Sequence, residues 1–485
     1  MKRSSGVLLP VFSLPGELGI GDLGISAYEF IDFLKQAGQS FWEVLPINPV
    51  DPLYDNSPYS PLSSFAGNTL FINVSLLKEH VFFENISKSS NLINYDDVKK
   101  MKYHYFMDVY RSFKKEDDYY KFIEENKDWI YDYALFISIR NYIGKSLYDW
   151  PYEIKTRNKD KLKYYQEKLK KEIDFQIFLQ YIFYKQWYNL KKYANKKGIK
   201  IIGDLPIYVN YDSADVWSHP EYFMLDEKLN PLYVSGVPPD FFSKTGQLWG
   251  NPIFNWDKIK EENFRWWIDR FIHTKKLYDV IRLDHFRGYV AYWEVPFGEE
   301  TAINGKWVKG PGEELFKELL KKINDPDIIA EDLGLITPDV IELRDRFNFP
   351  GMKVLQFAFD GNPSNNYKPH NYNNKNCIVF TGTHDNNTTI GWFQESGKKQ
   401  KMDFIKYIGG NLSEKINWAF IRLAMSSICD VSIIPMQDVL GLGKESRINT
   451  PGTIGKNWKW KLSSNYYSKS ISKRLLEYTE TYGRI

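Results

Sequence analysis

Eight short runs of apolar residues recur along the chain, and each run ends in polar or glycine-rich sequence. The runs begin near Val7, Phe41, Lys200, Asp279, Asp327, Met352, Asn376 and Asp430. Residues that are apolar at consecutive positions suit parallel strands that are buried on both faces. Helical patterns follow several of the runs. This alternation predicts an α/β fold, and eight units favour a (β/α)8 TIM barrel over an open doubly wound sheet.

Three of the helical patterns begin with residues that are typical of a helix N-terminus. Ser26 and Glu29 have the spacing of a capping box before a helix that is apolar on one face. Thr337 followed by Pro338 suits an N-cap and the first helical position. Ser413 precedes a third apolar helix. We therefore expect helices to begin at these three places.

The strands are unevenly spaced, because the second and third are separated by far more sequence than one helix and two loops require. Residues 75–172 are rich in Lys, Glu, Tyr and Ile and have helical periodicity in places. We predict that they form a helical subdomain inserted between strands two and three, with residues 1–74 and 173–485 forming the barrel. Residues 210–256 are dense in Pro, Gly and aromatic side chains, which predicts a long ordered loop after strand three.

The composition excludes some classes of function. The 485 residues include 64 Lys and Arg against 61 Asp and Glu, so the net charge is only +3. Proteins that bind nucleic acid or anionic lipid through electrostatics carry a stronger basic excess. We therefore expect neither partner. Aromatic residues make up 17% of the chain, a share that suits a groove for ligands with flat apolar faces.

The cysteines and the first residues bear on localisation. Cys377 and Cys429 lie in or beside apolar runs, the usual position of buried free thiols. Residues 1–9 are interpreted as the first strand, since Pro10 and Pro15 interrupt the apolar run that a signal peptide needs. No apolar segment approaches the roughly 20 residues that span a bilayer. These patterns predict a reduced cytoplasmic protein without a membrane partner.

Carboxylates follow three of the predicted strands. Asp284 ends strand four, Glu331 and the neighbouring acid Asp332 end strand five, and Asp385 follows strand seven. Barrel enzymes place their sites at the carboxyl ends of the strands, so these acids should share one rim. Arg282, two residues before Asp284, should lie on the same side of the strand and keep Asp284 ionised. Two carboxylates about 5 to 5.5 Å apart are the apparatus of a retaining glycosidase.

Seven stretches, in order along nearly the whole chain, carry a resemblance to a known family. They are residues 57–59 with 65–68, 203–209, 237–240 with 246–252, 282–288, 330–334, 382–386 and 447–452. On these stretches the sequence resembles the amylomaltases, which are 4-α-glucanotransferases also called disproportionating enzymes. Any one stretch is a weak match, but seven in register are specific. The helical insertion matches least well.

The resemblance implies roles for individual residues. Asp284 would be the nucleophile, Glu331 the general acid/base and Asp385 the stabiliser of the transition state. The implied substrate-binding residues are Ser57, Tyr59, Asp240, Gln247, Trp249, Arg282, His384 and Asn449. Among them, Arg282 would orient Asp284, His384 would bind sugar hydroxyls, and the rings of Tyr59 and Trp249 would stack on glucose.

Other polar residues near these positions are interpreted as structural. Asp332 is expected to be a hydrogen-bond partner behind the rim, and Asp204 to satisfy loop amides. His285 and Arg287 are expected to tie the strand-four loop together. The segment from Pro238 to Trp249, with proline at one end and glycine at the other, is expected to act as a lid.

The resulting hypothesis is a retaining 4-α-glucanotransferase. It would move segments of maltooligosaccharides and α-1,4-glucans from a donor to the 4-hydroxyl of an acceptor, through a covalent β-glucosyl enzyme. No metal-ligand spacing is present, and no cofactor is expected. Two alternatives stay open at this point: an α-amylase-type glucan hydrolase, and a glucan-binding protein without catalysis. The preferred glucan length and the oligomeric state do not follow from the sequence.

Overall fold

A closed barrel of parallel strands forms the centre of the computed structural model, which describes residues 1–77, 90–239, 243–324, 326–410, 413–463, 466 and 468–485. The strands in these ranges are β1 (Ser4–Leu8), β2 (Phe41–Glu43), β3 (Lys200–Leu205), β4 (Tyr233–Val237), β5 (Gln247–Pro252), β6 (Val280–Leu283), β7 (Ala291–Pro296), β8 (Lys306–Lys309), β9 (Ile328–Ala330), β10 (Gly351–Val354), β11 (Cys377–Phe380) and β12 (Val431–Pro435).

Eight of these strands pair in the order β10-β11-β12-β1-β2-β3-β6-β9, and every pairing between them is parallel. The two ends of this sheet meet where the Ala330 N–H donates a hydrogen bond of 2.9 Å to the Pro350 carbonyl oxygen, just before β10. The eight strands are the eight apolar runs of the sequence. The (β/α)8 barrel prediction is therefore confirmed.

Most of the helices bury one face of their surface. In chain order they are α1 (Ile25–Gln36), α2 (Tyr95–Ser112), α3 (Asp117–Glu125), α4 (Ile130–Ile143), α5 (Tyr152–Lys155), α6 (Lys159–Lys168), α7 (Lys170–Lys196), α8 (Ala214–Ser218), α9 (Trp256–Glu261), α10 (Arg265–Leu277), α11 (Arg287–Val290), α12 (Gly312–Lys322), α13 (Pro338–Arg346), α14 (Thr389–Glu395), α15 (Lys398–Tyr407), α16 (Ile416–Ser426), α17 (Met436–Leu440) and α18 (Lys469–Thr481).

All three predicted helices are present, but only one of them begins after the N-cap residue that the sequence predicts. Thr337 is the N-cap of α13, and Pro338 is its first residue. Helix α1 instead follows Gly24, and α16 follows Lys415, with no side-chain cap at either residue. Packing of the apolar face against the barrel, which contributes roughly 1.5 to 3 kcal/mol per large buried side chain, outweighs a cap of about 1 kcal/mol in deciding where these helices begin.

Helices α2 to α7 lie between β2 and β3, where the sequence predicts a helical insertion. The long helix α7 also contacts the segment that follows β2. Its buried Gln180 accepts a hydrogen bond of 2.7 Å from the Gly67 N–H and donates one of 3.0 Å to the Gly67 carbonyl oxygen. The predicted boundary between residues 172 and 173 falls inside α7, and the division into two domains stays a prediction.

A small antiparallel sheet, in the order β5-β4-β7-β8, lies outside the barrel sheet. The predicted loop of residues 210–256 is thus only partly correct, because it contains α8, β4 and β5. Strand β4 pairs with β7, which follows β6 and is distant in sequence. A pairing of this kind leaves no local signal in the loop itself.

The prediction of two free thiols is wrong. Cys377 begins β11 and Cys429 lies just before β12, and the two residues form a disulfide with their Cα atoms 5.0 Å apart. The residues are 52 positions apart in sequence, but β11 and β12 are neighbours in the barrel. Because the two thiols are paired, they do not indicate a reducing compartment. Among the described residues, no helix is both long and apolar enough to cross a membrane.

Candidate active site

The three predicted catalytic acids lie at the carboxyl ends of barrel strands. Asp284 directly follows β6, and its N–H donates to the Leu205 carbonyl oxygen at the end of β3. Glu331 directly follows β9, and its N–H donates to the Leu283 carbonyl oxygen. Asp385 lies in the loop that follows β11. Because parallel strands all end on the same side, the fold brings these acids to one rim of the barrel.

A buried arginine at this rim contacts the carboxylates of Asp284 and Asp204. Arg282 Nη1 is 3.0 Å from Asp284 Oδ1 and 2.6 Å from Asp204 Oδ2. The Tyr59 hydroxyl donates a hydrogen bond of 2.5 Å to Asp204 Oδ2. The expected pairing of Arg282 with Asp284 is therefore present, but Arg282 is shared with a second carboxylate. The prediction that Asp204 satisfies loop amides is wrong, because its carboxylate binds this arginine and Tyr59.

Burial changes the acid strength of the two central carboxyls. Loss of solvent raises the pKa of Asp284 well above its ordinary value, and the positive charge of Arg282 only partly opposes this. Burial also raises the pKa of Glu331, against Arg282 and two backbone N–H donors. Arg282 favours the ionised form of Asp284, as the sequence predicts, but the desolvation effect on the pKa is larger and Arg282 is divided between two acids. Both carboxyls hold protons to higher pH than free side chains do.

The carboxyl group of Glu331 is fixed by the backbone. Its Oε2 accepts a hydrogen bond of 2.8 Å from the His285 N–H, and its Oε1 accepts one of 2.8 Å from the Leu333 N–H. The neighbouring Asp332 turns away from the rim, where it binds the Met352 N–H and Arg344. The two adjacent acids therefore point to different sides of the backbone. Asp332 has the structural position that the sequence predicts.

Asp385, in the loop after β11, is held by polar side chains. The Asn449 side-chain amide donates a hydrogen bond of 2.6 Å to Asp385 Oδ1, and His384 Nε2 is 3.3 Å from the same oxygen. Arg447 donates to the Asp385 carbonyl oxygen at 2.6 Å. Burial lowers the pKa of His384, and the nearby Asp385 charge acts in the opposite direction. The Asp385 side chain remains 44% exposed and open to a ligand.

Tyr59 and Ser57 lie between the Arg282 cluster and His384. The Tyr59 ring stacks on the His384 imidazole, with centroids 5.1 Å apart and an interplanar angle of 18°. The Ser57 hydroxyl accepts a hydrogen bond of 3.2 Å from the Tyr59 N–H and so shapes the turn before the ring. One face of Tyr59 is thus occupied by protein, and stacking of this ring on glucose stays a prediction.

Strand β5 carries two further predicted substrate-binding residues. The Trp249 indole N–H donates a hydrogen bond of 3.2 Å to Gln247 Oε1, and Trp249 is 38% exposed. The indole lies edge-to-face with the His285 ring, at 4.8 Å and 85°. An exposed ring held in this way offers an apolar face to a sugar. Asp240, predicted to bind substrate, lies outside the described residues.

Two polar residues lie in this region although the sequence did not predict them as part of the site. Asp204 is the register partner of Arg282 on the adjacent strand β3, a pairing that follows only from the strand register of the structure. Glu43, at the end of β2, is buried, and its electrostatic neighbours are Arg282 and Asp204. No signal in the sequence distinguishes Glu43 from an exposed strand-end acid. Within the described ranges no cluster of three or more His, Cys, Asp or Glu side chains has the arrangement of a metal site.

Comparisons with known proteins identify the family of the chain. A family model described as 4-alpha-glucanotransferase matches residues 9–466. The chain is 47% identical to a 4-alpha-glucanotransferase of Clostridium butyricum, over 98% of this chain and 99% of that protein. It is 41% identical to a 4-alpha-glucanotransferase of Thermus thermophilus, with 100% of both chains covered.

A solved structure, an amylomaltase from Streptococcus agalactiae in complex with acarbose, is 40% identical to this chain. The two superimpose with a TM-score of 0.95, and the match covers 100% of each chain. A second amylomaltase, from Corynebacterium glutamicum, shares the fold at 18% identity, with a TM-score of 0.79 over 100% of this chain and 75% of that one. The chain belongs to the 4-alpha-glucanotransferase family.

Proposed function

We propose that this enzyme transfers α-1,4-glucan segments by double displacement at the rim formed by Asp284, Glu331 and Asp385. The observation that carries the proposal is the Asp284 carboxyl in direct contact with Arg282, beside a Glu331 carboxyl fixed by two backbone N–H groups. Donor and acceptor are maltooligosaccharides or longer α-1,4-glucans. The family match and the acarbose complex of the related amylomaltase support a glucan as the ligand.

In the first step the ionised form of Asp284, which the charge of Arg282 favours, attacks the anomeric carbon through one oxygen, and the bond from that carbon to the glycosidic oxygen breaks. Glu331 gives its proton to the departing oxygen, so the leaving glucan carries a free 4-hydroxyl. The raised pKa of Glu331 favours the protonated form that this step requires. The product of the step is a β-glucosyl ester of Asp284.

In the second step the 4-hydroxyl of an acceptor sugar attacks the same carbon, and the bond to Asp284 breaks. Glu331, now ionised, takes the hydroxyl proton and returns to its starting state. Inversion occurs twice, so the α-linkage is regenerated. Asp385, positioned by Asn449, lies where a carboxylate stabilises positive charge that develops on the sugar.

Transfer exceeds hydrolysis only if a sugar, and not water, reaches the ester. The exposed Trp249 indole supplies an apolar face on which an acceptor ring can stack and displace solvent. Gln247, which fixes the indole N–H, keeps that face in place. Binding an acceptor in an oriented position raises its effective concentration relative to bulk water.

Incubation with maltotriose tests the proposal. We expect glucose together with maltotetraose and longer products, resolved by chromatography. The Asp284→Ala variant should form none of them, whereas Asp108→Ala, which changes a partly exposed acid on α2, should match the wild type. Formation of glucose and maltose without any longer product would support a hydrolase and contradict the transferase. Activity in Asp284→Ala would contradict the assignment of the nucleophile.

The cytoplasmic location and the separate helical domain of residues 75–172 remain predictions. Fractionation of the native host would test the first. Limited proteolysis near residues 75 and 172, with sequencing of the fragments, would test the second, since a domain boundary is cleaved before its interior.

A further inference from the structure

We propose that His285 is a positioning residue that couples Trp249 on the small sheet to the carboxyl group of Glu331. The inference rests on the proposed function, because it takes Glu331 as the acid/base and Trp249 as a sugar-stacking residue. His285 makes a different contact with each of them. Its backbone N–H binds Glu331, and its ring packs against Trp249.

The backbone contact depends on an unusual conformation. His285 has φ +48°, in the left-handed region that residues with a side chain rarely adopt. In this conformation its N–H donates to Glu331 Oε2 at 2.8 Å, and the following N–H, of Phe286, donates to the Glu331 carbonyl oxygen at 3.0 Å. Consecutive amides of one turn therefore hold both the side chain and the backbone of Glu331.

The ring contact is made by packing alone. The imidazole meets the Trp249 indole at 4.8 Å and 85°, and its Nε2 is buried without a hydrogen-bond partner among the described residues. Gly288 makes room for the ring, since a Cβ there would lie 3.0 Å from His285 Cδ2. Burial lowers the pKa of His285 to about 4, so the ring is neutral across the working pH range. The contact between the imidazole and Trp249 therefore depends on packing and not on charge.

These contacts connect ligand binding to acid/base geometry. When a sugar ring stacks on Trp249, it restrains the indole and with it the imidazole that packs against the indole. A restrained imidazole in turn limits the motion of the residue whose N–H fixes Glu331 Oε2. An occupied Trp249 face thus steadies the carboxyl group, and an empty face leaves it less constrained. The coupling favours proton transfer when a sugar, not water, occupies this part of the site.

The pH dependence of the rate measures this coupling. The His285 N–H lowers the pKa of Glu331, so a looser contact should raise that pKa and move the alkaline limb of the kcat profile to higher pH. The other titratable and charged groups that interact with Glu331, Asp284 or His285 stay unchanged in the test: Arg282, Asp204, Asp332, Asp385, Tyr59, Tyr289, Tyr367 and Arg287.

The first variants are His285→Asn and Trp249→Leu. Asparagine tolerates the left-handed backbone and keeps the N–H, but it lacks the imidazole that reaches the indole. We expect each variant to lose about tenfold in kcat for maltotriose transfer, with the alkaline limb moved up by about half a pH unit. The double variant should show no further shift, because both changes break one connection. Phe297→Leu is the matched control, as an exposed aromatic at the small sheet that stacks on Tyr148.

Three results would overturn the proposal: an unmoved alkaline limb in His285→Asn, shifts that add in the double variant, or the same shift in Phe297→Leu. If His285→Asn does not fold, as judged by its melting curve, His285→Gly keeps the backbone conformation and replaces it. A wild-type enzyme that does not lengthen maltotriose contradicts the proposed function itself. A wild type that does so, with an unmoved limb in the variants, contradicts only the coupling.

Discussion

Glu43 lies at the end of β2, and its replacement by glutamine should change how the stability of the fold depends on pH. The preceding residue, Trp42, packs against Phe30 of α1, so the alternation of the strand directs Glu43 to the barrel interior. The side chain is 4% exposed, and Oε2 has no hydrogen-bond partner among the described residues. An ionised carboxylate in such a place is costly, since nothing replaces the lost water on that oxygen.

Burial raises the pKa of Glu43 from its ordinary value of 4.5 to about 8, although the charge of Arg282 opposes the change. The unfolded chain releases the Glu43 proton near pH 4.5, whereas the folded protein keeps it until about pH 8. The free energy of unfolding therefore falls as pH rises through this window. At 1.36 kcal/mol per pH unit, the loss between pH 5 and pH 8 is roughly 3 to 4 kcal/mol.

Glutamine has nearly the same shape and does not titrate, so Glu43→Gln should lack this loss. Urea denaturation of both proteins at pH 5 and pH 8 measures it. We expect the stability of the variant, relative to the wild type, to be greater at pH 8 than at pH 5 by roughly 3 kcal/mol. Glu261→Gln, at an exposed residue on α9, is the control and should show no such difference. Equal pH dependence of Glu43→Gln and the wild type would refute the reasoning.

Three further substitutions test the site and its support. Asn449→Ala removes the donor to Asp385 Oδ1 and should lower kcat about 10- to 100-fold in maltotriose assays, with an unchanged melting temperature. Arg282→Lys keeps one positive charge but loses the planar group that meets two acids, so kcat should also fall at least about tenfold while the far-ultraviolet circular dichroism is retained. Gly203→Ala would place a Cβ 2.2 Å from the Tyr278 ring and should lower the free energy of unfolding by about 1 to 3 kcal/mol in urea. An unchanged kcat in Arg282→Lys or an unchanged free energy of unfolding in Gly203→Ala would contradict the corresponding contact.

The barrel strands were predictable because each is apolar at consecutive positions, and that signal is local. The strands of the small sheet were not predictable in the same way. Strand β5 contains Gly250 and exposed residues, and β4 obtains its partner β7 from beyond β6. The disulfide was missed for a related reason, since Cys377 and Cys429 become neighbours only when β11 and β12 pair.

The acids of the rim could be assigned from their places at strand ends, but their protonation could not. Arg282 precedes Asp284 by two residues, and this spacing correctly predicts their contact. The sequence does not show that Asp204 shares the same guanidinium or that burial outweighs it. These effects depend on distances and solvent exposure across three strands. The backbone donors to Glu331 are equally invisible, because any residue type at 285 carries an N–H.

Glu331 lies next to the place where the barrel closes. Strands β9 and β10 form no ladder, and within the described residues the Ala330–Pro350 bond is the backbone hydrogen bond that joins them. The Asp332 carboxylate accepts the Met352 N–H at 2.7 Å, so a side chain takes the place of the next ladder bond. Pro350 has no N–H to add to the joint. The wall of the barrel therefore has the fewest interstrand hydrogen bonds beside Glu331, and slow opening of the protein should begin along this seam and not among the fully laddered strands.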